Sequence, residues 1–170
     1  VKMSYLLEQA TTWLKKHEWN YHLAAHDNGE RFIAVVYEGE NTTVNTRIDH
    51  GGDQVLFLFS YLPFHCSEEK RGVVAELIAR INQTIIFGHF DLDFSDGEVR
   101  YRNVIFVEND ELTDTTMEGM FYAALDAADT YFPLFMSLLY GNKSPAEIVN
   151  AWENEQPDAS DDDMPSHLLN

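Results

Sequence analysis

From Glu18 to Tyr61 the apolar residues recur at every second position, in four runs: WNYHLAAH, RFIAVVYEG, TTVNTRIDH and DQVLFLFSYL. A period of two is that of a strand with one face turned to a core. The runs are separated by DNGE, EGEN and HGGD, each a cluster of turn-forming residues. Links this short cannot carry a crossover, so the four strands form an antiparallel meander. The segment QVLFLFSYLP is apolar on both faces, which makes it the most central strand.

Helical spacing brackets this region. In SYLLEQATTWLKKH, Leu6, Leu7, Ala10, Trp13 and Leu14 fall on one helical face, and lysines occupy the last turn, where the helix dipole favours them. Ser67 opens a second helix with Glu68 and Glu69 in its first turn and an apolar stripe of Val73, Val74, Leu77, Ile78 and Ile81. Thr113 or Asp114 starts a long helix to about Tyr140, with Gly141 as its stop. Its apolar face carries Met117, Met120, Phe121, Ala124, Ala128, Phe132 and Phe135, and Pro133 should kink it. SPAE begins a last short helix, with Ser144 as cap, Pro145 at the first position and Glu147 reaching back. Runs of strands and helices in this order predict an α+β domain over residues 1–152, its helices packed on an antiparallel sheet. Residues 153–170 hold six acids, no Lys or Arg and two prolines, the composition of an acidic tail.

Between the second and third helices lies GHFDLDFSDGEVRYRN, residues 88–103. His89, Asp91 and Asp93 alternate there, which suggests either a metal site or one face of a strand. Asp96-Gly97 predicts a two-residue hairpin turn with positive φ at both positions. That turn sets Ser95 against Glu98, Asp93 against Arg100, Asp91 against Arg102 and His89 against Val104. Phe94 then meets Val99 and Leu92 meets Tyr101, so Phe90, Leu92 and Tyr101 face inward. A hard cation needs several oxygen ligands that are not already neutralised, and here each aspartate has an arginine opposite it. His89 and Asp93 are also about 13 Å apart along an extended strand, too far to share one ion. The alternation reads as a ladder of charge pairs, each worth about 0.2–1 kcal/mol.

Composition narrows the function classes. The chain has 170 residues, 29 Asp and Glu against 11 Lys and Arg, and a net charge of −18. A field of that sign repels phosphates and anionic lipid, so neither nucleic acid nor a membrane surface is an expected partner. No apolar run approaches the roughly 20 residues of a membrane-spanning helix, and no leader pattern opens the sequence. One cysteine, Cys66, excludes an intrachain disulfide and fits a reducing, cytoplasmic location. His65 and Cys66 are adjacent and so point to opposite sides of an extended segment; Cys66 reads as a buried structural residue. His22, His26 and His50 lack the short fixed spacing of a zinc site. Phosphate-cradling glycine motifs and a nucleophile elbow are missing as well. No catalytic residue, cofactor or metal is expected.

Several segments are similar to a known family. FGHFDLDFSDGEVRYRN, ELTDTTMEGMF, DTYFPLFMSLLYG and KSPAEIV resemble the YbjN family of bacterial proteins, as does the upstream order of a helix ending near a tryptophan, a strand meander followed by LP, and a helix opened by SEEKR. The resemblance covers about residues 4–150. It implies a fold like that of type III secretion chaperones, and some members carry the label of sensory transduction regulators. It supplies no catalytic residues.

These readings lead to a non-catalytic protein-binding regulator or chaperone-like adaptor whose partner is unknown. Two other classes stand beside it: a small-ligand sensor with Met117, Met120 and Met136 lining a pocket between the sheet and the long helix, and, third, a small metal-dependent enzyme. A homodimer is expected, using the line Val73, Leu77 and Ile81 if the sheet needs only the rotated line of Val74 and Ile78. The tail is expected to be an acidic lure that docks Met164, Leu168 and Leu169 on another molecule.

Overall fold

A computed structural model describes residues 3–107 and 111–155. Helix α1 (Tyr5–Lys16) starts where the Ser4 side chain accepts a hydrogen bond from the Leu7 amide. The meander follows as β1 (His22–Ala25), β2 (Arg31–Glu38), β3 (Thr43–His50) and β4 (Val55–His65). After a 3-10 turn over Glu68–Lys70 come α2 (Arg71–Ile81), the strands β5 (His89–Leu92) and β6 (Glu98–Phe106), the long α3 (Asp114–Tyr140) and α4 (Pro145–Glu155).

All six strands form one antiparallel sheet in the order β1-β2-β3-β4-β6-β5. The expected meander is present, and β4 has neighbours on both sides. Helices α1, α2 and α3 pack on the sheet, and α4 packs on α2 and α3. The fold is α+β with a single core: Leu7, Leu14, Ile33, Ile48, Leu58, Leu77, Tyr101, Phe121 and Phe135 are all within 1% of full burial. Burying one such side chain contributes roughly 1.5–3 kcal/mol.

Local chemistry explains most element ends. The Thr113 side chain accepts from the Thr116 amide. Ser144 and Glu147 form the reciprocal box: the Glu147 carboxylate accepts from the Ser144 amide at 2.8 Å, and Ser144 Oγ accepts from the Glu147 amide at 3.3 Å. The Ser144 amide and, after it, the Ser144 hydroxyl both donate to the Glu147 carboxylate and hold it below its usual range. Three expectations need correction. Ser67 makes no capping bond, because the chain enters α2 through the 3-10 turn. Gly141 ends α3 in extended, not left-handed, backbone; a side chain there would strike the Ser137 carbonyl, which is why glycine fits. Helix α4 runs to Glu155, beyond the expected start of the tail; helix α3, by contrast, runs through the exposed Pro133 to Tyr140, the expected bounds.

The hairpin register also differs, by two residues. Asp91 pairs with Arg100, and His89 with Arg102. Asp93 closes a longer turn instead: its amide donates to Glu98 O, its carbonyl accepts from Gly97 N, and its carboxylate accepts from both the Ser95 hydroxyl and the Ser95 amide. Those last two bonds hold the Asp93 carboxyl below its usual range. Within this turn only Gly97 has positive φ, and its α-carbon packs so closely on the Cys66 backbone that no side chain would fit. Phe94 is thus exposed in the turn and does not meet Val99. A slip of two keeps every side chain on its face. Phe90 and Tyr101 are accordingly buried and Leu92 packs against the core, as expected.

One buried carboxylate ties the layers together. Asp129 of α3 accepts from the amides of Glu40 at 3.0 Å, Asn41 at 2.9 Å and Thr42 at 2.9 Å. It therefore caps the β2–β3 turn, and it lies so close to Gly39 that a side chain at that position would collide with it. Asp129 is the first residue of the DTYFP segment, which gives that motif aspartate a physical role.

Candidate functional site: the open face of the sheet

Strand β4 is apolar on both sides, but only one side has helices over it. Leu56, Leu58, Ser60 and Leu62 point into the core and are at most 3% exposed. Phe57, Phe59 and Tyr61 point the other way and are half-buried. The registers place Asn45, Arg47 and Asp49 of β3 beside them on one flank. Arg100, Arg102 and Val104 of β6 stand on the other. The central row across this face runs His22, Ala34, Arg47, Phe59, Arg102, His89.

Phe59 is the hub. The guanidinium carbons of Arg47, Arg100 and Arg102 lie 5.0, 5.4 and 5.9 Å from its ring centroid. Arg47 also sits 5.6 Å from Phe32 and 5.4 Å from Tyr61, and Arg102 sits 5.7 Å from Phe57. Such contacts contribute about 0.5–1 kcal/mol at exposed sites and more where water is excluded. The Nε atoms of all three arginines are buried and have no hydrogen-bond partner among the described residues. Arg47 pairs with Asp49 at 3.6 Å, and Arg100 with Asp91 at 3.7 Å and Glu98 at 3.4 Å. Arg102 has no carboxylate within 4 Å among the described residues; His89 is its cross-strand neighbour. Burial raises the Tyr61 hydroxyl above its usual range, an effect that Arg47 partly offsets.

At one end of the face, His26, Asp27, Asn28, Glu30, Arg47, Asp49, His50, Phe57 and Phe59 surround an open depression of about 550 Å³. His26 Nε2 lies 2.7 Å from Asp49 there. Val36, Val104 and Phe106 continue the apolar surface, each more than 40% exposed. Scattered apolar groups on a surface are ordinary; a contiguous apolar stretch with arginines stacked on it marks an interaction site.

The residues singled out in the sequence fall elsewhere. Leu77 and Ile81 are at most 1% exposed and belong to the chain's own core, so of the expected dimer line only Val73, at 38%, faces outward. A stripe that wide is consumed because α2 meets β5, α3 and α4. Met164, Leu168 and Leu169 lie outside the described residues. Met117 and Met120 are buried in the core, with Met136 packed against it. His89 and Asp91 do approach, at 3.2 Å, as an ion-pair contact on the open face. Among the described residues no three His, Cys, Asp or Glu side chains converge as metal ligands, and no helix is long and apolar enough to cross a membrane. Cys66 is buried, and burial pushes its thiol up.

Comparison with known proteins agrees with this architecture. The family model of YbjN, described as "Putative bacterial sensory transduction regulator", matches residues 7–136. No curated protein matches the chain. Among solved structures the fold is similar to a chain of the "Crystal Structure of the ExsC-ExsE Complex", with a TM-score of 0.52, 15% identity, and coverage of 78% of this chain and 96% of that one. At that identity the likeness concerns fold, the type III secretion chaperone-like α+β arrangement. The family match takes in α1, every strand, α2 and most of α3, including the open face and Asp129: the chain belongs to the YbjN family.

Proposed function

We propose that this chain is a non-catalytic, cytoplasmic regulator that binds another protein, in the manner of a chaperone-like adaptor, through the open face of its sheet. The observation that carries the reading is the face itself: Phe57, Phe59 and Tyr61 with three arginines stacked around Phe59 and nothing of the described chain over them. Aromatic and arginine side chains dominate the energetics of protein interfaces. A partner segment that lays apolar groups on Phe57 and Val104 and a carboxylate beside Arg102 would use both kinds of contact. The similarity to a chain from a protein–protein complex, ExsC with ExsE, is consistent with this class of function.

Native-lysate capture tests it, using the wild-type chain and the Phe59→Ser, Arg102→Gln double variant as paired baits. The expected result is one or more proteins held by the wild type and lost by the variant, which keeps the wild-type circular dichroism spectrum. Retention of every captured protein by the variant would sink the assignment of this face. Two-fold self-association is part of the same proposal, with Val73 and the exposed Phe94 and Phe87 as the available apolar groups around α2. Light scattering at tens of micromolar that returns the mass of one chain would remove it.

A further inference from the structure

We propose that two copies of the chain join edge to edge along β6, antiparallel, with Val104 of each copy set against Phe106 of the other. The inference rests on the self-association in the proposal above and gives it a place and a register.

The parity of the backbone leaves that edge open. In an antiparallel ladder one residue turns its N–H and C=O to one neighbouring strand and the next residue turns them to the other. The Val107 amide donates to the Gln54 carbonyl, so Asn103, Ile105 and Val107 serve β4. On the opposite side the Asp93 amide donates to the Glu98 carbonyl, so Arg100, Arg102, Val104 and Phe106 point toward β5. But β5 begins only at His89, opposite Arg102, where Gly88 with φ 69° turns the incoming chain aside. Strand β6 runs on to Phe106. The N–H and C=O groups of Val104 and Phe106 therefore have no strand partner among the described residues, and such an edge is a template for another strand.

A second copy is the occupant that fits. Natural sheet edges are blunted with lysine, proline or charge, and residues 103–107 hold none of these. Charge begins outside them, with Arg102 before and Glu108 after in the sequence, and Asp53 near Phe106. A chain of net charge −18 repels its own copies over most of its surface, so an uncharged edge is where they can approach. The stretch is also self-complementary about Ile105. Laid antiparallel, Val104 and the second copy's Phe106 exchange two backbone hydrogen bonds, and the symmetric pair exchanges two more. Each pair sets a β-branched side chain against an aromatic one on the open face, worth about 0.2–1 kcal/mol. Val104 and Phe106 are 43% and 62% exposed, and the exposed Ile86 and Phe87 come just before Gly88 at the β5 end of the gap. Four such side chains offer roughly 500 Å² per copy, or about 1,000 Å² in all, the lower bound of a specific interface. The pairing would make the two six-stranded sheets continuous, with both open faces on the same side.

The test uses the full chain. Light scattering at tens of micromolar should return the mass of two chains. Val104→Pro deletes an edge donor and spares the β4 ladder, while Phe106→Lys puts a charge on the seam. Each should weaken the dimer about tenfold or more and leave the thermal midpoint within a few degrees of wild type. Disulfide trapping reads the register; Cys66 is buried, so the thiols of Val104→Cys and Phe106→Cys are the ones that react. A mixture of these two variants should give a covalent dimer under mild oxidation, because directly opposed residues have α-carbons about 5.5 Å apart. Either variant alone should not, since its two thiols then sit on residues more than about 7 Å apart. A wild-type chain that scatters as a monomer overturns the pairing and the self-association together. A dimer that survives both Val104→Pro and Phe106→Lys, or that cross-links as well in one variant alone as in the mixture, overturns the pairing and leaves self-association to Val73 and Phe94. Neither result bears on lysate capture through Phe59 and Arg102, so failure of the edge and failure of the face are distinguishable.

Discussion

The two faces of β4 use the same backbone and the same aromatic and aliphatic vocabulary to opposite ends. On the inner face Thr46 and Ser60, cross-strand neighbours with 2% or less exposure, answer each other with a hydrogen bond of 2.8 Å. On the outer face the rings are half-buried, and the Nε atoms of three arginines are buried with no hydrogen bond among the described residues, those of Arg47 and Arg100 lying 3.6 and 3.7 Å from carboxylates. Burying a donor unsatisfied costs about 1–3 kcal/mol, more when it is charged. A fold under selection for stability alone would place small polar residues there. The inner face holds the protein together; the outer face carries the groups that the proposed partner-binding role would use.

That contrast can be broken most easily from the inside. Phe135 is fully buried against Phe90, at 5.4 Å, and Phe64, at 5.7 Å. Phe135→Ala should cost about 3–5 kcal/mol, visible as a large fall in the urea midpoint. Asp129→Ala should come next, at about 2–3 kcal/mol, because three amides of the β2–β3 turn lose their acceptor. Asp129→Asn keeps one acceptor oxygen and should recover part of that loss. Equal destabilisation by Ala and Asn would mean the charge, not the geometry, secures the turn.

How much of this could be read in advance follows from the range of the interactions. Strand and helix boundaries come from local period and capping chemistry, and Thr113 and the Ser144–Glu147 box lie where the sequence places them. The hairpin register was off by two because Asp93 uses its carboxylate on Ser95 and turns a two-residue loop into a longer one. The role of Asp129 depends on a contact 87 or more residues away along the chain, beyond any local pattern, although its place at the head of DTYFP was a hint. The outer face was half legible. Alternation in QVLFLFSYLP reads correctly as a strand apolar on both sides, yet that pattern is equally that of a doubly covered strand. The arginines that complete the face come from β3 and β6 and meet only through pairing. The stripe on α2 misled for the same reason: Leu77 and Ile81 are buried where α2 meets β5, α3 and α4, whose positions the stripe itself does not encode.

A smaller effect separates the faces by pH. Tyr101, on the inner side, donates its hydroxyl to the Phe87 carbonyl, and burial, with Tyr131 adding to it, pushes its pKa up to about 12. Its folded pKa is raised above the ordinary value near 10, so its contribution is fully present below pH 10 and is lost as pH rises from 10 through about 12. Tyr101→Phe should cost about 1 kcal/mol at neutral pH through the lost hydrogen bond. It should also flatten the alkaline limb of the stability curve and remove the last-titrating phenolate from the ultraviolet spectrum. A phenolate that still appears last in the variant would assign that titration to another tyrosine.

The smallest expected change in stability is at Arg102, and its smallness is what makes it informative. Arg100 and Arg102 are two residues apart on one strand and share the same hub ring, but among the described residues only Arg100 is paired with acids. Arg100→Gln removes two partly exposed ion pairs and should cost up to about 1 kcal/mol. Arg102→Gln gives up stacking on Phe57 and Phe59 and removes a buried unpartnered donor, two terms of opposite sign, so its net effect should stay within about 0.5 kcal/mol. If Arg102 exists for recognition, that near-neutral change should still weaken capture of the partner several-fold. A loss of more than about 1 kcal/mol in urea unfolding would make Arg102 part of the scaffold, and the division of labour between the two faces would no longer hold at the position where it is sharpest.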